Sequence, residues 1–154
     1  MELSKIAKFK KDLLGFKKIG LDSMCFIYQF AEHPDYSQLT TAIFELLETN
    51  KILAVTSTIS IIEVFVRPEA LQDQSTIIEY ERVFQELPNL EIISINWHIA
   101  RLASKLRAKY KGIRIPDALQ IAAPLLREYP AFITNDIRLK KVKEIKTIIL
   151  KDYL

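Results

Sequence analysis

Residues 18–28 read KIGLDSMCFIY and place one acid, Asp22, between two apolar runs. We predict a buried strand over 18–22, because a short apolar run bounded by polar residues is typical of a strand. The same pattern predicts four further strands, at 52–56, 90–95, 131–134 and 147–150. Short apolar strands of this kind indicate a mostly parallel sheet that is covered on both faces.

Helical patterns lie between the predicted strands, where apolar residues recur at intervals of three and four. The predicted helices are one with Leu39, Ile43, Leu46 and Leu47 on its apolar face, one over 77–87 that ends before Pro88, one capped by Asn96, and one whose first turn holds Pro116 and Asp117. These ends follow from the cap and proline preferences of helices. The alternation of strands and helices predicts one α/β domain.

The composition is that of a globular protein. The chain has 154 residues, of which 49% are hydrophobic and 27% are charged, and a net charge of +3. No apolar stretch reaches the roughly 18 residues that a membrane span requires, and no secretory signal is visible. A single cysteine, Cys25, excludes a disulfide within the chain. We therefore expect a cytoplasmic protein without a membrane partner.

The first residues form a separate segment. Residues 1–17 are predicted to be a basic amphipathic N-terminal extension, and residues 18–154 the main domain. An amphipathic helix would place four apolar residues on one side, namely Leu3, Ile6, Leu13 and Leu14. This helix could pack on the domain, bind a partner or lie on a membrane surface.

Four carboxylates share one context, since each stands where an apolar run gives way to a helix. They are Asp22, Glu63, Asp117 and Asp136. Ligands of open parallel sheets bind beyond the carboxyl ends of the strands, and the predicted element order brings these acids to that edge. Caps and first-turn acids are the alternative explanation for the three aspartates. No such explanation fits Glu63, because its segment ISIIEVFV (59–66) is apolar on nearly every side.

A shared divalent cation would account for all four acids. Clustered carboxylates repel one another, and hard oxygen ligands suit Mg²⁺ or Mn²⁺. Such a cation activates water for attack on phosphorus. Ser23 and Thr134 are candidates for supporting hydroxyl hydrogen bonds at the site, with capping and turn formation as their alternative.

Basic residues adjoin two of these acids. Residues 101–114 carry six lysines and arginines and no acid, and residues 138–146 carry five interrupted only by Glu144. These clusters favour an anionic substrate such as a nucleic-acid backbone, although solvated helix faces would explain either cluster alone. The RNA-binding candidates are Arg107, Lys109, Arg114 and Arg138.

Four segments together resemble the PIN-domain nucleases, and in particular the VapC-type toxins of toxin–antitoxin pairs. The segments are IGLDSMCFIY (19–28), TSTISIIEVF (56–65), IPDALQIA (115–122) and AFITNDIRL (131–139). The resemblance implies a three-layer α/β/α sandwich with a parallel five-stranded sheet. It also implies a Mg²⁺- or Mn²⁺-dependent endoribonuclease that leaves 3′-hydroxyl and 5′-phosphate ends, forms homodimers and is inhibited by a small antitoxin.

The same resemblance assigns roles to the acids. It implies that Asp22, Asp117 and Asp136 bind metal directly or through water, and that Glu63 binds metal or holds the water. Thr134 matches the hydroxyl position before the last acid. One departure is Pro124, which we expect to interrupt the helix that follows Asp117.

Other function classes fit the sequence less well. A phosphatase with an aspartyl nucleophile would share the fold class, but it needs a second acid where this chain has Met24. A receiver domain needs a pair of adjacent acids after the first strand, and the chain lacks that pair. The remaining alternative is a non-catalytic PIN-like module that binds RNA or a protein.

Overall fold

The structure, a computed structural model, describes residues 3–154. Its strands are β1 (Lys18–Leu21), β2 (Leu53–Ser57), β3 (Leu90–Ile93), β4 (Ala131–Thr134) and β5 (Lys146–Ile149). Its α-helices are α1 (Leu3–Phe16), α2 (Ser23–Phe30), α3 (Ser37–Glu48), α4 (Ile59–Ala70), α5 (Gln74–Glu86), α6 (Trp97–Lys109) and α7 (Ile115–Leu126). Two 3₁₀ turns, Ile137–Lys141 and Leu150–Tyr153, follow β4 and β5.

The five strands form one parallel sheet in the order β3-β2-β1-β4-β5. The chain first moves from β1 outward to β2 and β3, and then returns past β1 to β4 and β5. The direction of winding therefore reverses between β1 and β4, where Leu21 pairs with Ile133. A crevice forms at such a reversal, outside the carboxyl ends of the two strands.

Helices cover the sheet on both faces, each over its own apolar core. One core joins α1–α5 to the sheet and includes Phe26 and Phe84, whereas the other joins α6 and α7 and includes Ile121. Adjacent residues of β4 alternate between the two, since Phe132 enters the second core and Ile133 the first. The predicted three-layer α/β/α sandwich with a parallel five-stranded sheet is confirmed.

The strand boundaries differ from the predicted ones by one or two residues, except for β4. Asp22 lies outside β1, because its extended backbone (φ −73°, ψ 159°) caps α2. β3 ends at Ile93, since the last residue of its single neighbour, Ser57, pairs there and leaves Ser94 and Ile95 without a partner strand. β2 and β5 are displaced by one residue, to Leu53–Ser57 and Lys146–Ile149.

Helix α1 lies against α3 and the C-terminal 3₁₀ turn. Its buried side chains are Phe9 and Leu13, with Ile6 half-buried. The predicted apolar side was partly wrong, because Leu3 is 85% exposed and Leu14 is 40% exposed. The spacing 6, 9 and 13 defines one helical face, and the bulky Phe9 on that face was the residue missed. The rest of the extension, residues 1 and 2, lies outside the described residues.

No helix within residues 3–154 is both long enough and apolar enough to cross a membrane.

Pro124 lies in the last turn of α7 and does not end the helix, which runs without a break from Ile115 to Leu126. The expectation that Pro124 would interrupt this helix was therefore wrong. Its ring packs on β1 at Gly20, where an added Cβ would stand only 2.5 Å from the proline Cγ. Glycine at position 20 thus allows the last turn of α7 to approach the sheet closely.

Candidate functional site

A cleft of about 580 Å³ opens at the carboxyl ends of β1 and β4. All four acids singled out in the sequence line it, together with both candidate hydroxyl residues and two of the candidate arginines. These lining residues are Asp22, Ser23, Glu63, Arg114, Asp117, Thr134, Asp136 and Arg138. The fold therefore gathers side chains from four distant segments of the chain into one cleft.

Asp22 caps α2 and also faces the cleft. Its Oδ1 accepts a 2.8 Å hydrogen bond from the backbone N–H of Ser23, and its Oδ2 accepts a 2.6 Å hydrogen bond from Thr134 Oγ1. Burial raises the pKa of the Asp22 carboxyl, and the nearby charges of Asp117 and Asp136 raise it further, although the two hydrogen bonds oppose this. Oδ2 accepts from one donor only and keeps a second lone pair, so capping leaves Asp22 able to bind a cation.

Thr134, at the end of β4, connects two of the acids. Its buried hydroxyl donates to Asp22 and accepts a 3.1 Å hydrogen bond from the backbone N–H of Asp136. Ser23 is also buried; its Oγ lies 3.5 Å from Asp22 Oδ1, and its hydroxyl hydrogen bond lowers the pKa of Glu63. Both hydroxyl residues therefore contact acids of the cleft.

Asp117 and Asp136 each pair with arginine. The Arg114 guanidinium lies 3.3 Å from Asp117 Oδ2, and the backbone N–H of Arg114 donates to the same oxygen at 3.2 Å. Arg138 donates from Nε to both oxygens of Asp136, at 2.9 and 3.2 Å, and these contacts lower the pKa of the Asp136 carboxyl. Asp136 also caps the following 3₁₀ turn, because it accepts a hydrogen bond from the backbone N–H of Arg138.

Glu63 reaches the cleft from the second turn of α4. Burial raises the pKa of its carboxyl, and the charge of Asp22 raises it further. The neighbours of Glu63 on the helix, Ile62 and Val66, are exposed. Helix α4 therefore has exposed apolar residues on its outer face, and Glu63 lies between that face and the cleft.

The donor set of the cleft fits a divalent cation of the hard-oxygen type. Four carboxylates and two arginines leave an excess of two negative charges when all six groups are ionised. Protons on Asp22 and Glu63, whose pKa values are raised, are the alternative way to reduce that charge. Within residues 3–154, no three acidic, histidine or cysteine side chains already surround one cation position. Arginine side chains lie beside Asp117 and Asp136 instead.

A buried polar network below the cleft was not foreseen from the sequence. Gln120 on α7 accepts a 2.7 Å hydrogen bond from Ser57 Oγ and donates a 2.8 Å hydrogen bond to Ser60 Oγ. The Ser60 hydroxyl is in turn 2.6 Å from that of Thr56, which donates to the Leu21 carbonyl. These bonds join β1, β2, α4 and α7, the elements that carry or adjoin three of the acids.

The sequence signal for Gln120 was present. This amide stands in the otherwise apolar run ALQIAAPLL, three residues after Asp117 and hence on the same helical face. A buried amide must find hydrogen-bond partners, so its position in the run indicated a polar neighbour.

Two of the four candidate RNA-binding residues lie outside the cleft lining. Arg107 Nε donates to the Ile113 carbonyl at 3.0 Å and so holds the loop between α6 and α7. Lys109 Nζ is 3.3 Å from Glu144 Oε1 and lies over the Tyr110 ring. Both remain on the surface of α6, whereas Arg114 and Arg138 are at the cleft.

Solved structures with a similar fold include two VapBC structures and a toxin–antitoxin complex. A VapBC2 structure from Rickettsia felis, bound to a DNA fragment from its promoter, matches with a TM-score of 0.64 and 20% identity, over 86% of this chain and 98% of that one. A Klebsiella pneumoniae toxin–antitoxin complex matches with a TM-score of 0.61 and 22% identity, over 86% and 97%. FitAcB from Neisseria gonorrhoeae matches with a TM-score of 0.64 and 15% identity, over 87% and 98%.

None of the curated protein sequences compared with the chain matches it. The family model described as "PIN domain" matches residues 19–145, which cover β1 from its second residue and all of β2, β3 and β4, end just before β5, and include all four acids. The sequence-based recognition is thereby confirmed: the chain belongs to the PIN domain family.

Proposed function

We propose that this protein is a metal-dependent endoribonuclease that uses Mg²⁺ or Mn²⁺ to hydrolyse RNA phosphodiester bonds. The observation that carries the proposal is the convergence of Asp22, Glu63, Asp117 and Asp136 on one cleft at the reversal point of the sheet. Acids this close to apolar cores are costly unless a cation neutralises them. A metal-dependent hydrolase uses such a cation.

The roles proposed for the acids are those that the resemblance to PIN-domain nucleases implies. Asp22, Asp117 and Asp136 would hold the cation directly or through water. When bound, the cation supplies positive charge that favours ionisation of water and stabilises negative charge on the phosphate. Glu63 would position the attacking water and accept its proton, a role for which a raised pKa is suited. Thr134 would orient Asp22 through its hydroxyl, and Ser23 would support Asp22 and Glu63.

The substrate would be RNA held by its backbone. Arg114 and Arg138 stand at the cleft, where a guanidinium suits a phosphate in a bidentate geometry. Arg107 and Lys109 lie on the last turns of α6, just before the loop that leads to Arg114, and would extend the basic surface away from the cleft. The expected cleavage leaves a 3′-hydroxyl and a 5′-phosphate.

We further propose that the protein is the toxin of a toxin–antitoxin pair, acts in the cytoplasm and forms a homodimer. The matched structures from Rickettsia felis and Klebsiella pneumoniae are described as VapBC2 and as a toxin–antitoxin complex, which supports an antitoxin partner. The exposed apolar residues Ile62 and Val66 on α4 border the cleft at Glu63, and such a surface favours a protein partner.

Cleavage of a labelled single-stranded RNA with Mn²⁺ tests the nuclease proposal. Asp22→Asn and Asp136→Asn should abolish cleavage, whereas Asp35→Asn, a change at an exposed acid outside the cleft, should leave it intact. Cleavage at the wild-type rate by either cleft variant would contradict the assigned roles. Tight RNA binding by a wild-type protein that never cleaves would favour the non-catalytic PIN-like module instead.

A further inference from the structure

We propose that Arg138 is an internal counter-ion that competes with the divalent cation for Asp117 and Asp136, and that its release on cation binding makes its guanidinium available to an RNA phosphate. This inference rests on the proposed metal-dependent function. It assigns Arg138 a role in coupling cation binding to substrate binding, beyond general attraction of the RNA backbone.

A single guanidinium contacts two acids of the cleft. Arg138 donates from Nε at 2.9 Å and from its NH2 group at 2.5 Å to Asp136, and the same NH2 group lies 3.8 Å from Asp117 Oδ2. These are the carboxylate oxygens that a cation in the cleft would require. Both oxygens of Asp136 already accept two hydrogen bonds each from Arg138, so neither has a free lone pair while the guanidinium is in place. The cation and the guanidinium therefore compete for these oxygens, and the free energy of breaking the arginine contacts reduces the net affinity for the cation.

Exposure favours the arginine as the group that moves. The Arg138 side chain is 49% exposed, whereas those of Asp136 and Asp117 are 25% and 10% exposed. A guanidinium that leaves the acids can be hydrated at once, while the acids stay fixed by the fold. An exposed ion pair of this kind is weak enough to exchange for a divalent cation.

The anchoring of Asp136 does not depend on the guanidinium. The backbone N–H of Arg138 donates to Asp136 Oδ1 at 3.0 Å, and the backbone N–H of Asp136 itself donates to Thr134 Oγ1. Replacing the Arg138 side chain therefore removes the competing charge and leaves the cap of the 3₁₀ turn in place. Arg138→Gln is consequently a variant that should fold and retain the position of Asp136.

Arg114, the other arginine of the cleft, contacts fewer acids than Arg138 does. The hydrogen bonds and the ion pair of its guanidinium are all with Asp117, at 3.3 Å or more, and its backbone is the N-cap of α7. The charge of Arg114 also lowers the pKa of Asp136 and of Glu63, but only from a distance. Arg114 should therefore compete with the cation less than Arg138, which contacts two of the acids directly.

Competition at shared oxygens has a thermodynamic consequence. A phosphate that binds the Arg138 guanidinium draws it away from Asp117 and Asp136 and so raises the affinity of the cleft for the cation. By linkage, the cation raises the affinity for phosphate by the same factor. Part of this coupling should be lost when Arg138 is replaced.

The test measures Mn²⁺ dissociation constants by electron paramagnetic resonance of the free ion, without RNA. Arg138→Gln should bind Mn²⁺ roughly two- to fivefold more tightly than the wild type, on the scale of a released surface ion pair. Arg127→Gln is the matched control, because Arg127 forms an equally close pair with Glu91, at 2.8 and 2.7 Å, away from the cleft. This control should bind Mn²⁺ as the wild type does.

A second measurement adds adenosine 5′-monophosphate as a probe with the expected product phosphate. The nucleotide should tighten Mn²⁺ binding more in the wild type than in Arg138→Gln. Equal tightening in both proteins, or Mn²⁺ affinity in Arg138→Gln that is unchanged or weaker, would overturn the inference and make Arg138 a residue that only positions Asp136.

The outcomes separate this inference from the proposed function. One outcome supports the metal site but contradicts the competition: the wild type binds Mn²⁺, Asp22→Asn does not, and Arg138→Gln binds Mn²⁺ no more tightly than the wild type. If neither the wild type nor Arg138→Gln binds Mn²⁺, the proposed metal-dependent function fails and this inference fails with it.

Discussion

Thr134 donates a 2.6 Å hydrogen bond to Asp22, a residue 112 positions earlier in the chain. The bond joins the ends of β1 and β4, which are neighbours in the sheet although they are far apart in the sequence. Since the same hydroxyl also accepts from the backbone N–H of Asp136, one side chain fixes the relation between two acids of the cleft. The position of these acids therefore follows from the pairing of two strands.

Replacing Thr134 by valine should weaken Mn²⁺ binding most at low pH. Valine has a similar shape but lacks the hydroxyl that lowers the pKa of Asp22, so that pKa should rise further above 3.8. A cation needs the ionised carboxylate, and its binding curve should therefore shift to higher pH. A hydrogen bond to a charged group contributes about 1.5–3 kcal/mol, so the affinity should fall by about tenfold or more at a pH below the pKa of Asp22, and by less as the pH rises above it.

The matched variant for this prediction is Thr134→Ser, which keeps the hydroxyl and should bind Mn²⁺ with the wild-type pH dependence. Titrations of Mn²⁺ between pH 5 and pH 8 would check both variants. A valine variant with the pH profile of the wild type would show that Thr134 does not control the ionisation of Asp22.

Replacing Gln120 by leucine should destabilise the fold. The change leaves the buried hydroxyls of Ser57 and Ser60 without their amide partner. A buried group that loses its hydrogen bond costs about 1–3 kcal/mol in the free energy of unfolding. Urea unfolding should show this loss, whereas Gln85→Leu on the exposed surface of α5 should change stability by about 0.5 kcal/mol or less. Equal stability of the two variants would contradict the role assigned to the network.

The hydrogen bond between Tyr153 and Asp12, at 2.6 Å, should stabilise the protein in a pH-dependent way. It is the largest cause of the lowered pKa of Asp12, followed by the hydrogen bond from Lys8. A lowered pKa contributes stability that is present above the unfolded value of 3.8 and is lost as the pH falls through the folded value. Tyr153→Phe should therefore unfold about 1 kcal/mol more easily at pH 7.

The difference between wild type and Tyr153→Phe should shrink as the pH is lowered below 3.8, because Asp12 becomes protonated in both proteins. Denaturant titrations at several pH values would measure it. A difference that stays constant from neutral to acidic pH would mean that packing of the ring, rather than the hydrogen bond, attaches α1 to the C-terminal turn.

The salt dependence of RNA binding should show which of the three arginines and the lysine proposed to bind RNA contact its phosphates. For single-stranded RNA, each lost phosphate contact should reduce the slope of log K against log salt by about 0.7. Arg114→Gln, at the cleft, should show this reduction in fluorescence anisotropy titrations made without metal. If Arg107→Gln and Lys109→Gln leave the slope unchanged, those two residues form a solvated face and only the cleft arginines contact the backbone.

Much of the fold was predictable, because the elements depend on local patterns. The period of apolar residues and the breaks at Pro88 and Asn96 located α5 and α6, and Asn96 does cap α6 by accepting from the backbone N–H of Ile99 at 3.0 Å. Strand ends were less predictable, since the end of β3 is set by the length of its neighbour β2 and not by its own residues. The bulk of Phe9 likewise decides which side of α1 is buried.

The candidate site was predictable as a set of residues but not as a set of contacts. The explanation of the aspartates as caps is correct for Asp22 and Asp136, and it does not oppose the explanation by a shared cation, because both caps also line the cleft. Sequence could not show that Arg138 pairs with Asp117 across the cleft, because that contact depends on how β4 and α7 are placed in three dimensions. The partners of Gln120 depend on the same placement.

Anomalous diffraction from crystals soaked in Mn²⁺ tests the central claim most directly, namely that the four acids form one divalent-cation site. The account predicts a strong manganese peak in the cleft among Asp22, Asp117 and Asp136, and no such peak in crystals of Asp22→Asn. Well-diffracting soaked crystals of the wild type with no manganese peak in the cleft would contradict it.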